Sequence, residues 1–187
     1  MIIDSPLLNI ASWLPRSYAN GPGMRMVIWL QGCPFRCVNC QNPDYLDFKM
    51  NQIVTVDKVW QLFQKIPNLS GISFSGGEPF AQAVALAELA KRVQSEGKTV
   101  VCWSGYSLAQ LQNGKIQGAM DLLESVDLLI DGLFREELAG DHILRGSSNQ
   151  QLHFLSGRIQ PEELEEIPRQ EWIIKENQVT YTGFPIK

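Results

Sequence analysis

The sequence predicts an α/β fold built on a mostly parallel sheet. Short apolar runs alternate with segments of helical periodicity along residues 24–130. Each run ends in a loop rich in glycine or cysteine. Strand–helix–strand alternation implies right-handed crossovers between parallel strands. At 187 residues the chain is long enough for one domain with a substantial core.

Taken in order, Ile2 to Ala19 mixes apolar pairs with Pro6 and Pro15 and predicts one short strand. Asn20-Gly21-Pro22-Gly23 is a turn made of backbone breakers. Met24 to Leu30 is nearly continuously apolar, the pattern of a strand buried on both faces. Thr55 to Ile66 predicts a helix, with Thr55 as N-cap and Val56, Val59, Trp60, Phe63 and Ile66 on one face. Gly71 to Ser75 is a second strand that breaks at Gly76-Gly77-Glu78-Pro79. Ala81 to Ser95, rich in alanine and leucine and closed by Gly97, is a helix. Lys98 to Trp103 is a strand ending at Ser104-Gly105-Tyr106. Two brief helices follow, Ser107 to Gln112 and Ile116 to Glu124, then strands at Val126 to Ile130 and Leu152 to Leu155.

The composition changes near residue 156. Residues 1–156 read as the core and 157–187 as a C-terminal extension. In the extension, Glu171 to Lys175 and Gln178 to Thr182 predict a β-hairpin packed on the core, with its turn at Glu176-Asn177.

Hydrophobic content of 44% and charge of 19% are ordinary globular values. A net charge of −4 and the lack of a lysine/arginine block argue against nucleic-acid binding. No apolar run approaches the roughly 20 residues of a membrane span. Met1 to Asn20 lacks the charged and apolar regions of a secretory signal. The expectation is a soluble, cytoplasmic protein with no membrane partner, in which clustered thiols serve metal or redox chemistry.

The chemistry concentrates in Gln31 to Asn42. Three of the four cysteines, Cys33, Cys37 and Cys40, fall there with spacing C-x3-C-x2-C. Thiolates that close together converge on one inorganic centre, and soft sulfur ligands select zinc, copper(I) or an iron–sulfur cluster. Three is one short of a closed structural site, so the fourth position reads as the reactive one. In parallel sheets, ligands sit beyond the carboxyl ends of the strands. The cysteine loop, Gly-Gly-Glu-Pro, Ser-Gly-Tyr and Asp131-Gly132 all follow strands, which gathers them on one rim.

With C-x3-C-x2-C after one strand and Gly-Gly-Glu-Pro after the next, the chain resembles the radical S-adenosylmethionine superfamily. Within it, the likeness is to activases of glycyl radical enzymes, the group that includes the activating proteins of anaerobic ribonucleotide reductase. The segments that carry the likeness are Gly21-Pro22-Gly23 with Arg25, Gln31-Gly32-Cys33, Gly71-Ile72-Ser73 to Ser75-Gly76-Gly77, Trp103 to Tyr106, Val126-Asp127 to Asp131-Gly132, and Arg145 to Gln150.

The resemblance implies a partial (β/α) barrel, since a full barrel needs about 250 residues. It implies a [4Fe–4S] cluster held by Cys33, Cys37 and Cys40, with S-adenosyl-L-methionine on the open iron. Reductive cleavage would give a 5′-deoxyadenosyl radical, which makes a glycyl radical on a large protein substrate. A low-potential donor such as a flavodoxin or ferredoxin would supply the electron. Gly76 and Gly77 would let the backbone approach the cofactor, and Glu78 would accept from its ammonium group. Asn39, Cys40 and Gln41 would face the adenine. Ser104 and Asp131 are candidates for the ribose or methionine carboxylate.

Two other readings compete. The radical could modify a different protein or peptide. Alternatively the chain is a non-catalytic metal-binding module, a zinc site completed by Cys102, His142 or His153. Against that, Cys102 lies in an apolar strand as a small buried filler, and the histidines are assigned no role.

Overall fold

The computed structural model describes residues 5–175 and 178–184. A seven-stranded sheet organises the chain, built from β1 (Leu7–Ser17), β2 (Arg25–Leu30), β3 (Gln52–Thr55), β4 (Gly71–Gly76), β5 (Thr99–Ser104), β6 (Leu128–Asp131) and β9 (Gln151–Phe154). Its order is β3-β1-β2-β4-β5-β6-β9. The central strands β2, β4, β5 and β6 run parallel. The flanking pairs β1–β2, β1–β3 and β6–β9 are antiparallel. With β3 and β9 at its two edges the sheet stays open, as a chain short of a full barrel requires.

The helices are α1 (Val56–Gln64), α2 (Ala83–Ser95), α3 (Leu108–Gln112) and α4 (Ala119–Leu123). They cover one face of the sheet. Leu8, Met26, Ile28, Ile72, Phe74, Val100 and Cys102 pack there against Val59, Phe63, Leu86, Leu89 and Leu122. The opposite face carries a smaller core of Val101, Trp103, Leu128, Ile130, Leu144, Ile159 and Leu164. Two packed faces explain why the central strands read as apolar runs and not as alternating ones.

Local chemistry sets the helix starts. The Thr55 hydroxyl accepts from Lys58 N at 3.2 Å, the cap its sequence position predicts. Ser107 and Gln110 form a reciprocal capping box on α3. Before α2, residues Pro79–Gln82 make a 3-10 turn, so the α-helix proper begins at Ala83 and not at Ala81.

The first strand is longer than its sequence suggests, eleven residues and not a short stretch. Leu8 and Ile10 alternate inward, and pairing with both β2 and β3 fixes the register. Pro15 is tolerated because the β1–β2 register shifts between Leu14 and Ser17 and β3 no longer pairs there. Two further short strands, β7 (Ala139–His142) and β8 (Arg145–Ser147), form a separate ribbon.

Fully buried Arg25 fastens the amino ends of the parallel strands. Its guanidinium donates to Ser73 Oγ (2.8 Å), Ile72 O (2.8 Å), Thr99 O (2.7 Å), Thr99 Oγ1 (3.0 Å) and Pro22 O (3.0 Å). Asp127, also buried, accepts from Val100 N at 2.7 Å and from both Nε (2.8 Å) and Nη2 (2.9 Å) of Arg158. That pair ties the segment after residue 156 to the sheet.

The extension ends in a hairpin of β10 (Gln170–Lys175) and β11 (Gln178–Gly183). The turn expected at Glu176-Asn177 lies outside the described residues. Among the described residues, no helix is long and apolar enough to cross a membrane.

Candidate active site

Because β2, β4, β5 and β6 run parallel, the loops after them share one rim. Leu30 pairs with Gly76 and Ser104 with Asp131, so the four strands also end nearly level.

The cysteine loop leaves β2 and is held in a curl by its own backbone. Gly32 N donates to Tyr45 O (2.8 Å) and Cys33 N to Leu46 O (2.9 Å). Arg36 reinforces this: its Nη1 reaches Cys33 O (2.8 Å), Phe35 O (3.1 Å) and Leu46 O (3.2 Å). Gln31 Nε2 donates to Asp47 O at 2.7 Å. Neither Arg36 nor Gln31 carries chemistry; both shape the loop that does. Arg36 was not singled out from sequence, since an arginine between cysteines gives no signal of which carbonyls it will gather.

Cys33, Cys37 and Cys40 line one cavity of about 120 Å³, together with Gly76, Gly77, Glu78, Ser104 and Gln41. All four cysteines are free. Burial, with smaller contributions from Glu78, Cys40 and Cys37 and against a backbone hydrogen bond at Phe35, pushes the Cys33 thiol up to about 11. Burial, then the neighbouring Cys40, also raises Cys37. Negative charge on one of these groups disfavours ionisation of the others. A cation placed among them would reverse it, at the cost of releasing protons.

Among the described residues, no three Cys, His, Asp or Glu side chains are gathered tightly enough for a single metal ion. A four-iron cluster is wider than one zinc and takes its thiolates from further apart. Cys102 cannot supply a fourth ligand, since it is fully buried on the helix-covered face of the sheet. His153 is turned to Asp131, its Nε2 3.0 Å from Oδ2 but out of line for a hydrogen bond. Glu78 is the one carboxylate among the described residues of the cavity lining, and its oxygens already accept from Phe80 N, Ser104 Oγ and Gly105 N, so the three thiols fit a cluster with one open corner.

Glu78 is nearly completely buried beside the cysteines. Oε1 accepts from Phe80 N (2.9 Å) and Ser104 Oγ (2.9 Å), and Oε2 from Gly105 N (2.8 Å). Burial raises its carboxyl from 4.5 to about 7, with these three donors pulling the other way. Two of the donors come from the last residue of β5 and the first of the loop after it, so Glu78 fastens the rims of β4 and β5 together.

Gly77 sits where its N–H donates to Leu30 O at 2.8 Å and Glu78 N donates to Gly32 O at 2.8 Å. A Cβ on Gly77 would stand 2.3 Å from Gly32 O. The glycine therefore lets two loops touch backbone to backbone.

Two of the sequence candidates stand apart. Asp131 is not among the residues lining the cysteine cavity; its carboxylate accepts from Leu108 N at the start of α3 and faces His153. Its neighbour Gly132 lines the cavity instead. Asn39, at φ 51, bonds to Glu136 and lines a second cavity.

That second cavity, about 500 Å³, adjoins the first through Cys40, Gln41, Asn42, Ser75 and Phe184. Phe184 stacks on Trp103 at 5.7 Å between ring centres. Gln150 bridges two lining loops, accepting from Gly146 N (2.8 Å) and donating to Gly132 O (2.9 Å). Phe184 had no sequence signal, because its contact with Trp103 spans 81 residues of chain.

A family model described as a 4Fe-4S single cluster domain matches residues 19–153. The anaerobic ribonucleoside-triphosphate reductase-activating protein of Vibrio cholerae is 30% identical over 155 residues, 78% of this chain and 97% of the relative. Its counterpart in Escherichia coli strain K12 is 29% identical over 157 residues, covering 79% and 99%. That of enterobacteria phage T4 is 27% identical over 151 residues, covering 78% and 93%. Among solved structures, QueE from Escherichia coli matches 65% of this chain and 68% of its own at 14% identity, with a TM-score of 0.44.

Proposed function

Because the chain belongs to the family of anaerobic ribonucleoside-triphosphate reductase-activating proteins and carries its 4Fe-4S single cluster domain, we infer that it is a radical S-adenosylmethionine enzyme that generates a glycyl radical on a partner enzyme. When bound, the [4Fe–4S] cluster and S-adenosylmethionine supply one-electron cleavage of the sulfonium C–S bond and removal of hydrogen from a glycine. The chain's own residues bind, orient and exclude water.

Cys33, Cys37 and Cys40 would hold the cluster. Gly76 and Gly77 form bare backbone in the cavity lining that would let the cofactor approach closely. Glu78, held rigidly by Phe80 N, Ser104 and Gly105 N, faces the cofactor's ammonium. Ionic pairing there offsets the cost of ionising a buried carboxyl. Ser104, which also lines the cavity, fixes Glu78 by donating to Oε1. Cys40 and Gln41, on the wall between the two cavities, lie against the adenine, with Asn39 at the edge of that surface. The hydrogen bond from Asn42 N to Cys40 Sγ, 3.5 Å, tunes the cluster's potential.

The observation that carries this reading is the single cavity shared by three thiols, the Gly76-Gly77 backbone and Glu78. The partner is an anaerobic ribonucleoside-triphosphate reductase, reached in the cytoplasm, and a flavodoxin or ferredoxin supplies the electron.

Anaerobic reconstitution with iron and sulfide tests the reading. The brown protein releases 5′-deoxyadenosine and methionine with dithionite, and adding the reductase gives a glycine-centred doublet in electron spin resonance. If Cys33→Ala, Cys37→Ala and Cys40→Ala all keep 5′-deoxyadenosine release, the assignment fails.

A further inference from the structure

The C-terminal hairpin lies beyond the residues that the cluster-domain family covers, 19–153. Its amphipathicity is inverted. Cross-strand pairing sets Trp172 opposite Tyr181 and Ile174 opposite Val179. These four side chains share one face and are 57%, 57%, 75% and 63% exposed. The rings of Trp172 and Tyr181 are in contact, 5.4 Å between centres. The opposite face, turned to the core, is the polar one. Glu171 accepts from Tyr18 N at 3.0 Å, and buried Thr182 accepts from Asn20 at 2.9 Å. A two-stranded ribbon with its large apolar side chains in water is marginal alone and marks a contact surface.

The strand edge points the same way. Among the described residues β11 pairs with β10 alone, so its second edge has no strand partner there. Thr180, Tyr181, Thr182, Gly183 and Phe184 all line the larger cavity. Consecutive residues of a strand cannot line a cavity through one face, because side chains alternate. The strand therefore presents its edge, with backbone donors and acceptors. The rest of that lining contains no Lys, Arg, Asp or Glu and is rich in Ser, Asn, Gln and Tyr. Such a lining complements a neutral peptide backbone and has no charge for a phosphate. The same cavity ends at Cys40 and Gln41.

We propose that the terminal hairpin docks the protein substrate: an extended, uncharged, glycine-bearing segment adds to the free edge of β11, while the body of the same protein covers Trp172, Ile174, Val179 and Tyr181. This rests on the activase reading and names the element that receives the partner. Strand addition supplies backbone hydrogen bonds that ignore sequence, which suits a segment centred on glycine. The apolar face supplies the anchoring and the choice of partner.

The test is the double variant I174E/V179E, which alters two solvent-facing side chains far from the thiols in sequence. The probe is the anaerobic ribonucleoside-triphosphate reductase of the same organism. The variant should keep its iron content and its partner-free release of 5′-deoxyadenosine with dithionite. It should need about tenfold or more reductase for half-maximal glycyl radical formation. An unchanged half-maximal concentration overturns the proposal while leaving the activase reading intact. So does a wild-type dimer in sedimentation that the variant dissolves, because a second copy then covers the face. If the wild-type chain gives no glycyl radical with the reductase, the activase reading falls and the docking proposal falls with it.

Discussion

Replacing Glu78 with glutamine removes a buried charge without changing the side chain's size. Burial lifts the Glu78 carboxyl from 4.5 to about 7. At about 1.4 kcal/mol per pH unit, keeping it ionised inside the metal-free chain costs about 3 kcal/mol. The sign follows from proton counting. Between pH 4.5 and 7 the folded chain retains a proton that the unfolded chain has released, so stability from this group is fully present below 4.5 and is lost as pH rises through about 7. Glutamine does not titrate. Its amide does oppose Gly105 N, which donates to Oε2 in the native protein, and that sets a constant offset and not a slope. Urea unfolding of the reduced, cluster-free protein at pH 5, 6, 7 and 8, under argon, measures both. The wild type should lose about 2.5 kcal/mol relative to Glu78→Gln across that range. Cys33 is raised to about 11 and does not titrate in this window. Parallel stability curves for the two proteins would show that Glu78 is not held near neutrality and that the burial argument is wrong. With a cationic cofactor opposite it, Glu78 is pulled back to the ionised form, so wild-type affinity for S-adenosylmethionine rises from pH 6 to 7 and the variant's does not.

Gly77→Ala places a Cβ 2.3 Å from Gly32 O. Moving a backbone carbonyl by about 1 Å next to Cys33 should cut 5′-deoxyadenosine formation by roughly a hundredfold; wild-type turnover would show that the loops can separate freely. Arg25→Met keeps the volume but abandons five hydrogen-bond acceptors at the amino ends of β2, β4 and β5. A loss of about 3–5 kcal/mol in denaturant unfolding is expected, and a loss under 1 would mean the clamp is dispensable. Asp131→Asn should lower stability by about 1 kcal/mol by weakening the bond at the start of α3, while the KM for S-adenosylmethionine stays within about twofold. A tenfold rise in that KM would return Asp131 to the cofactor site.

Much of the site is legible along the chain because its parts are local. Cys33, Cys37 and Cys40 sit within eight residues, and Gly76 to Glu78 are contiguous. Each group follows a parallel strand, so strand polarity alone sends both to the same rim. The Thr55 cap and the central strands are legible for the same reason: the signal and the element occupy one stretch.

What sequence could not supply is any property that depends on which distant segment comes alongside. The inward alternation of β1 becomes a strand of eleven residues only because β2 and β3 flank it. Asp131 follows a strand on the right rim, yet its carboxylate turns to α3 and His153. Glu78 is legible as a cofactor candidate, but its burial is not, because Phe80, Ser104 and Gly105 close over it only in the fold. The terminal hairpin is visible as two apolar runs, but which of its faces meets the core is settled by Asn20 and Tyr18, more than 150 residues earlier. The identity and spacing of the three thiols were thus written in the chain, because thiolate chemistry belongs to the residue. The charge state of Glu78, the aim of Asp131 and the exposed apolar face belong to the tertiary structure, because burial and hydrogen bonding are properties of neighbours.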